Sequence, residues 1–467
     1  MINGIEPLTI EKAVSCLLSA INLYRLELSS TDQSDQAQLV TFSQPVQPTD
    51  IAEWLGSQTL YPRLFWMNRE QDFAVAGIGI ADTIAFEGAG NNEECFGKFG
   101  LSVAGKKHDT RYFGGFCFNN SENQDPVWQK FSSFSFVLPL VQLTLENKTV
   151  TLSCHLWLES GDNFHAKISE ITDILDQVVA HADNTAIKLP ELLNISYNPD
   201  EQSWIERCQK AIQTFETDGM DKIMLARQTV LEFSDSFSPL VFLLNYPYPK
   251  NAIYRFYFEP AENQAFFSFS PERLYRREGN MLLTEALAGT CSKESVNGDD
   301  HDASETLLNS EKDIREHNYV KEMIKHELLK ICSNIDMDDD LQVLQLHRLA
   351  HLYTRCSARL KPEFEHDNAV LNLLHPTPAV GGVPKASAME HIIELEPFSR
   401  GWYAAPVGWV SRDASEFCVA IRSALVNGRF AYLYSGAGLV KGSDPLSEWE
   451  EVEQKIGDIL AITRQEA

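Results

Sequence analysis

The chain has 467 residues, 44% of them hydrophobic and 22% charged, a balance typical of a globular protein of one large or two ordinary domains. No run of about 18 apolar residues occurs, which argues against a membrane-spanning helix, and a formal net charge of −27 disfavours nucleic acid and anionic membranes as partners. Nine scattered cysteines without a C-x-x-C pair fit neither a disulfide framework nor a zinc site, so we expect reduced thiols and a cytoplasmic location.

The N-terminal segment predicts an amphipathic helix rather than a signal peptide. Acidic residues occur within it and no basic stretch opens it, which is not typical of a secretory leader. Its apolar residues at helical spacing are Ile10, Val14, Leu17 and Ile21. We therefore expect the first helix to pack this face against a core.

Residues 134–159 predict a β-hairpin. Val141, Leu143 and Leu145 alternate with polar residues, the chain turns at 146–148, and a second alternation follows. The Pro- and Asn-containing stretch 182–200 is then the best candidate for a division. It separates an N-terminal α+β region, residues 1–190, from a C-terminal region, residues 197–462, and we expect the two to form one compact unit.

Beyond the division, long helices alternate with long hairpins. The sequence predicts a helix over 203–216, a strand over 222–233, a hairpin over 265–289 turning at 278–280, a polar helix over 307–333, and a hairpin over 417–438 turning at Asn427–Gly428. This alternation indicates an α+β fold with antiparallel sheets rather than a doubly wound parallel sheet.

Two acidic helices carry the residues with the clearest chemistry. Asp313 and Glu316 share one helical face, and a second face near the C-terminus holds Glu448, Glu451 and Lys455. Carboxylates from two helices can supply oxygen ligands to Mg²⁺, which takes one or two carboxylates and keeps several waters. On spacing alone, solvated helix faces with salt bridges are the commoner explanation.

Nine ordered segments carry a resemblance to a known family. In chain order they are KIMLAR, SFSPERL, LTEALAGT, SEKDIREH, LLHPTPAVGG, RGWYAAPVGW, SEFCVAIRSA, YSGAGLV and SEWEEVEQK, within roughly residues 200–460. They resemble the chorismate-utilising enzymes, most closely the isochorismate synthases of the menaquinone pathway. RYFGGFCF, residues 111–118, is a looser echo in the N-terminal region. The resemblance implies an α+β fold of two antiparallel sheets packed between layers of helices.

The resemblance also implies roles for single positions. Lys222 matches the general base that activates water for attack at C2 of chorismate, Glu272 the general acid that protonates the departing C4 hydroxyl, and His351 a histidine close to that hydroxyl. The residues that match substrate-binding positions are Gly289, Thr290, Ala379, Tyr403, Arg422, Gly436 and Lys455. Glu316 and Glu451 match the Mg²⁺ ligands, with Asp313 and Glu448 in a supporting acidic shell. Each residue alone has an ordinary structural explanation, and the ordered set of motifs outweighs it.

Related activities differ at a few of these positions. Lys222 favours water over the ammonia that anthranilate synthases add, and Ala288 stands where aminodeoxychorismate synthases have a lysine nucleophile. Salicylate synthases, which eliminate pyruvate from isochorismate, stay open because Tyr403 occurs in them too. A non-catalytic homologue that serves as a binding protein is the alternative from another class, disfavoured because the matched acid, base and metal positions are all filled.

The resemblance sets the expected partners and raises two further points. We expect chorismate as the substrate, Mg²⁺ as the cofactor, no glutamine amidotransferase subunit, and a monomer or homodimer. Ala405 stands where the family more often has glycine, which questions the packing beside Tyr403. On the second acidic helix, Glu450 and Glu453 point away from Glu451, so we expect both to be solvated.

Overall fold

Two antiparallel β-sheets with helices on their outer faces make up the protein. The computed structural model describes residues 6–28, 38–88, 91–106, 110–120, 125–158, 163–180, 187–217, 219–247, 253–293, 300–346 and 349–464. The helices are α1 (Ile10–Leu28), α2 (Ile51–Gly56), α3 (Asn92–Ala104), α4 (Phe164–Leu175), α5 (Glu201–Thr217), α6 (Leu240–Asn245), α7 (Asp300–Asn309), α8 (Glu311–Ile331), α9 (Asp367–Leu374), α10 (Lys385–Leu395) and α11 (Pro445–Thr463).

The strands divide between the two sheets. They are β1 (Gln38–Val46), β2 (Arg63–Met67), β3 (Phe73–Ile78), β4 (Asp82–Phe86), β5 (Tyr112–Phe116), β6 (Phe134–Leu138), β7 (Val141–Glu146), β8 (Thr149–Leu158), β9 (Leu192–Asn198), β10 (Lys222–Phe233), β11 (Tyr254–Ala261), β12 (Gln264–Ser270), β13 (Arg273–Glu278), β14 (Met281–Ser292), β15 (Cys332–Met337), β16 (Gln342–Gln345), β17 (Leu349–Leu360), β18 (Gly382–Val383), β19 (Pro406–Val410), β20 (Ala414–Val419), β21 (Ser423–Asn427) and β22 (Phe430–Leu439). Sheet A has the order β1-β8-β7-β3-β2-β11-β12-β21-β22-β10-β18, with β9 paired to β10, and sheet B the order β15-β17-β14-β13-β20-β19-β5-β6-β4, with β16 paired to β17.

The main core lies between these layers. Successive residues of a strand point to opposite faces of its sheet, and along sheet A they enter different apolar clusters. Trp66 and Phe256 pack in a cluster that also contains residues of sheet B, whereas Phe65 and Tyr257 pack in a cluster with α1, α2, α6 and α11. Sheet A is thus covered by sheet B on one face and by helices on the other, and α8 packs on β14 and β17 of sheet B. The predicted α+β fold of two antiparallel sheets is confirmed.

Both sheets combine strands from either side of residue 190. In sheet A, β2 pairs with β11, and in sheet B, β5 pairs with β19. Within the predicted division, residues 182–186 lie outside the described residues, and Leu192–Asn198 form β9, which pairs with β10. The two regions therefore share their hydrogen-bonded sheets.

Several predicted elements are confirmed. The first helix is α1, whose predicted apolar face is buried. Within the stretch 134–159, β7 and β8 form the predicted hairpin, whereas Phe134–Leu138 form β6 of sheet B. The strand predicted over 222–233 is β10, with the same bounds. The helix predicted over 203–216 is α5.

The two C-terminal hairpins differ from the prediction because the chain changes sheets inside each predicted stretch. Strand β12 belongs to sheet A and β13 to sheet B, so the chain crosses at Pro271 and Glu272. It crosses back between β20 and β21, at residues 420–422. The turn of the β21–β22 hairpin is Gly428–Arg429, one residue later than predicted, because Gly428 adopts a φ of 63° at the first turn position.

The predicted helix over 307–333 is also wrong in its bounds. Residues 307–309 end α7, and α8 begins after Ser310, whose hydroxyl accepts a hydrogen bond from the amide of Asp313 at 3.3 Å. Such a side-chain cap replaces a missing helical partner and starts a new helix. The cap fixes the turn of α8 that carries Asp313 and Glu316.

The cysteines and helices agree with the composition. All nine cysteines are free thiols, with Cys16 exposed and the others buried. Across the described ranges, every helix is too short or too polar to serve as a membrane span.

Candidate active site

One cleft collects every site residue predicted from the sequence. It lies where the two sheet crossings meet the first turns of α8 and α11. Its predicted lining residues are Lys222, Glu272, Gly289, Thr290, Asp313, Glu316, His351, Ala379, Tyr403, Arg422, Gly436, Glu448, Glu451 and Lys455. The residues range in sequence from Lys222 to Lys455, so the fold brings them together. The roles of these residues stay predictions.

Glu272 sits at the first crossing between the sheets and is almost fully buried, with 6% of its surface exposed. Thr377 donates a hydrogen bond from Oγ1 to its Oε1 at 3.3 Å. Burial, followed by the nearby charge of Glu285, raises the pKa of Glu272 to about 8. The carboxyl therefore carries a proton at neutral pH and can donate it.

Lys222 begins β10 and extends into the same cleft. Its Nζ donates to Oε1 of Glu316 at 3.1 Å, and 9% of its side chain is exposed. Gly438 leaves room for it, because a Cβ there would lie 3.0 Å from Cε of Lys222 and 2.8 Å from Sδ of Met224. A lysine amine and a protonated carboxyl thus line one cavity.

His351 is held in a single tautomer. Its Nδ1 lies 3.3 Å from the carbonyl oxygen of Gly289 and 3.0 Å from Oγ1 of Thr290. A carbonyl only accepts, so Nδ1 carries the proton and Nε2 keeps a lone pair, with no partner among the described residues. Burial, with the charges of Arg422 and Lys455, lowers the pKa of His351 to about 3, which keeps the ring neutral.

The backbone around His351 explains this geometry. The β14–β17 register shifts between Ala288 and Thr290, so Gly289 is the extra residue of a bulge. Its φ of 77° is a conformation that glycine adopts without steric cost. A Cβ at this position would also lie 3.1 Å from Cβ of Asp313.

Two cations, Arg422 and Lys455, line the same cleft close to His351. Arg422 lies in the second crossing, with a φ of 52°, and donates from Nη1 to the carbonyl of Lys455 at 2.9 Å. Lys455 donates from Nζ to the carbonyl of Gly436 at 2.9 Å and contacts Oε1 of Glu451 at 2.6 Å. Burial lowers the pKa of Arg422, but a guanidinium stays protonated in proteins. The cleft is therefore suited to an anionic ligand.

Tyr403 lines the same cleft as Arg422 and Lys455. Its ring stacks on Tyr434 with centroids 5.3 Å apart, and a Cβ at Gly436 would lie 3.1 Å from its hydroxyl. The left-handed residue of the loop is Ala404, with a φ of 61°, so the alanine at 405 needs no strained backbone. Ala405 is fully buried and packs in the same apolar cluster as Tyr403.

Two of the four acidic residues that α8 and α11 contribute to the cleft form ion pairs with lysines, and a third accepts a hydrogen bond from a serine. Glu316 binds Lys222 and Glu451 binds Lys455, while Ser310 donates from its hydroxyl to Asp313. The charge of Lys455 lowers the pKa of Glu451, whereas burial and the charge of Glu451 raise the pKa of Glu448. Among the described residues, no three His, Cys, Asp or Glu side chains form a cluster that holds a metal alone. Carboxylates that line one cleft nevertheless fit Mg²⁺, which needs only one or two of them.

The outer side of α11 is not uniformly solvated. Glu450 is exposed, as expected, but Glu453 forms an ion pair with Arg227, whose side chain is fully buried. The Arg227 guanidinium also lies 3.8 Å from the Trp449 ring centroid and 4.7 Å from that of Tyr197. The expectation of a solvated Glu453 is therefore wrong, because a long-range partner from β10 reaches it.

Sequence reasoning missed two residues that support the cleft: Thr377, which binds Glu272, and Arg400, which is part of the lining. Thr377, which donates to Glu272, stands inside the LLHPTPAVGG segment, so that motif held the signal. Arg400 donates to the carbonyls of Val380 and Met224 at 2.7 and 2.8 Å and thereby joins two walls of the cleft. It lies in the RGWYAAPVGW segment, where only Tyr403 had been given a role.

Comparison with known proteins gives one consistent result. The family model described as chorismate binding enzyme matches residues 25–464. The isochorismate synthase MenF of Haemophilus influenzae is 29% identical over 459 residues, covering 98% of this chain and 99% of the relative. That of Escherichia coli (strain K12) is 30% identical over 422 residues, covering 89% and 91%. The solved structure of MenF, the menaquinone-specific isochorismate synthase from Escherichia coli, matches with a TM-score of 0.82 at 27% identity, over 96% of this chain and 100% of that one. The chain belongs to the chorismate binding enzyme family.

Proposed function

We propose that this protein is an isochorismate synthase, which adds water at C2 of chorismate and releases the C4 hydroxyl. The observation that carries the proposal is that Lys222 and a protonated Glu272 line one cleft, which Arg422 and Lys455 line as well. The names of relatives aligned over most of the chain support the same activity. We further propose that the product feeds menaquinone synthesis, because the similar solved structure is that of a menaquinone-specific isochorismate synthase.

The two cations account for binding of a dicarboxylate. Chorismate carries two carboxylates, whereas this chain has a net charge of −27, so binding needs cations placed locally. Arg422 presents a planar guanidinium that holds a carboxylate through two parallel hydrogen bonds. Lys455 adds a point charge one turn after Glu451 on α11. Together they set the orientation of the ring between acid and base.

Lys222 is the proposed base. Its Nζ takes a proton from the attacking water as the oxygen bonds to C2. Because Nζ contacts Glu316 at 3.1 Å, it has to be released from that carboxylate before it accepts a proton. The base is thereby coupled to the acidic residues of α8.

Glu272 is the proposed acid. It gives its proton to the oxygen at C4, the C4–O bond breaks, and the two ring double bonds shift away from C2 towards C4. The Nε2 lone pair of His351 accepts a hydrogen bond from the C4 hydroxyl and so orients the leaving group. One water enters and one leaves, so substrate and product are isomers, and a proton passes from the base back to the acid through solvent.

We propose Mg²⁺ as the cofactor, with Glu316 and Glu451 as its protein ligands and Asp313 and Glu448 beside them. A bound Mg²⁺ would supply charge neutralisation for a substrate carboxylate. Burial, followed by the like charge of Glu451, raises the pKa of Glu448, and this proximity of two carboxylates supports a position for a cation here.

The proposal is tested by incubating the protein with chorismate and Mg²⁺ and separating the products by chromatography. We expect isochorismate, formed reversibly, with little pyruvate or salicylate. Stoichiometric pyruvate in a lactate-dehydrogenase-coupled assay would reassign the protein to salicylate synthesis. Anthranilate formed only with ammonia would reject both activities.

A further inference from the structure

A buried ion pair stands behind Glu272. Arg69, from the turn between β2 and β3, donates from Nη1 to Oε1 of Glu285 at 2.8 Å and from Nη2 to Oε2 at 2.7 Å. The exposed fractions of the two side chains are 7% and 0%. This two-point pairing fixes both groups in orientation as well as in distance.

The same pair holds the peptide groups on either side of Glu272. Arg69 donates from Nη1 to the carbonyl of Pro271 at 3.0 Å, and the amide of Arg273 donates to Oε1 of Glu285 at 2.8 Å. The residue before Glu272 is thus bound by the cation and the residue after it by the anion. At this point the chain leaves sheet A for sheet B. Glu272 itself is held by backbone hydrogen bonds, since its carbonyl accepts from the amide of Val419 at 3.1 Å and its amide donates to Oγ of Ser270 at 3.1 Å. The Arg69–Glu285 pair holds the residue on either side of it.

We propose that the Arg69–Glu285 pair is a positioning device for the acid Glu272, so that a turn of the N-terminal region forms part of the catalytic unit. The inference rests on the proposed function, since it concerns the acid of that reaction. Neither Arg69 nor Glu285 lines the cleft; they act through Glu272.

The neighbours of Arg69 also hold the backbone around Glu272 in place. Glu70, the next residue of the turn, pairs with Arg273, which also lies 3.2 Å from Glu416. The Tyr254 hydroxyl donates to Glu416 at 2.8 Å. Two successive residues of the N-terminal turn therefore bind the two neighbours of Glu272, since Arg69 binds Pro271 and Glu70 binds Arg273.

The pair also acts on the acid through charge. Glu285 raises the pKa of Glu272, after burial, while Lys222, Lys455 and the hydroxyl of Thr377 lower it. Loss of the Glu285 charge would leave the Arg69 cation uncompensated and would favour the ionised acid. Position and protonation of Glu272 thus depend on the same pair.

Two substitutions separate these effects. Arg69→Lys keeps the charge but loses the planar fork, so we expect kcat to fall by about tenfold or more with KM changed less than about threefold. Glu285→Gln removes the charge, so we expect the alkaline limb of the kcat profile to move to lower pH by about one unit or more. Glu285→Asp keeps the charge and should leave the alkaline limb of the kcat profile in place. It provides a second measurement if the Gln variant does not fold.

A buried ion pair between sheet B and α9 provides the control. Arg277 binds Asp367 through two contacts, at 3.0 and 2.7 Å, and neither residue lines the cleft. Arg277→Lys and Asp367→Asn should lower stability while leaving the alkaline limb unmoved and kcat within about threefold of wild type. A purely structural role of Arg69–Glu285 predicts the same pattern for both pairs.

A readout that needs no turnover completes the test. The infrared carbonyl stretch of protonated Glu272, assigned by its loss in Glu272→Gln, is titrated without substrate, and we expect its midpoint to fall in Glu285→Gln and to stay in Asp367→Asn. An unmoved midpoint and limb in Glu285→Gln, together with near-normal kcat in Arg69→Lys, would overturn the inference. Failure of the proposed function is seen separately, as a wild-type protein that makes no isochorismate or a Glu272→Gln variant that keeps its turnover.

Discussion

Replacing Glu272 by glutamine should remove turnover and make the protein more stable at alkaline pH. Glu272 is buried, and its pKa is raised from 4.5 to about 8 in the folded protein. Below about pH 4.5 the folded and unfolded chains both hold the proton. As pH rises towards 8, the unfolded chain releases it first, so stability is lost through this window. At about 1.4 kcal/mol per pKa unit, the loss has a ceiling of roughly 5 kcal/mol.

The assay is urea unfolding of wild type and Glu272→Gln at about pH 5 and pH 8.5, beside turnover with chorismate and Mg²⁺ across the same range. Glutamine does not titrate, so the variant should gain a few kcal/mol relative to wild type between the two pH values. Wild-type kcat should fall above about pH 8, where the acid loses its proton. A stability difference that is independent of pH, or a variant that keeps more than about a tenth of the turnover, would show that Glu272 is not the protonated acid.

The other predictions concern the base, the metal position and the outer face of α11. Lys222→Ala should lower kcat by about 10²–10⁴-fold while substrate binding, measured by calorimetry, persists. Glu451→Gln should keep the fold but lose Mg²⁺-dependent turnover, whereas Glu450→Gln should change neither. If turnover depended on Mg²⁺ concentration in the same way in both variants, the metal would bind elsewhere. Glu453→Gln should lower the free energy of unfolding by about 1–2 kcal/mol, because Arg227 loses its carboxylate but keeps two aromatic rings, against no more than about 0.5 kcal/mol for Glu450→Gln.

Local patterns predicted local elements well. The strand predicted over 222–233 has the same bounds as β10, and the helical spacing from Ile10 to Ile21 gives the buried face of α1. The ordered motifs identified residues that the fold brings into one cleft. Such features depend on side-chain period and on short segments, which a single sequence contains.

Most differences between prediction and structure arise where contacts between residues distant in sequence determine the structure. Alternation has the same period in either sheet, so it did not reveal that the chain changes sheets at Glu272. Ser310 offered a local cap that divided one polar stretch into two helices. The partner of Glu453 is Arg227, 226 positions earlier, and helical spacing carries no information about such a pair. The Arg69–Glu285 contact behind the acid was out of reach for the same reason.

Attack of water at C2 with departure of the C4 oxygen is tested most directly by isotope labelling. Chorismate is incubated with the protein and Mg²⁺ in water enriched in ¹⁸O, and the isochorismate is isolated early and analysed by mass spectrometry. We expect one ¹⁸O atom, located at C2, in essentially every product molecule, and labelled product from Lys222→Ala to form about 10²–10⁴-fold more slowly. Isochorismate that forms without ¹⁸O would show that the original hydroxyl is retained, and would contradict the roles given to Lys222 and Glu272.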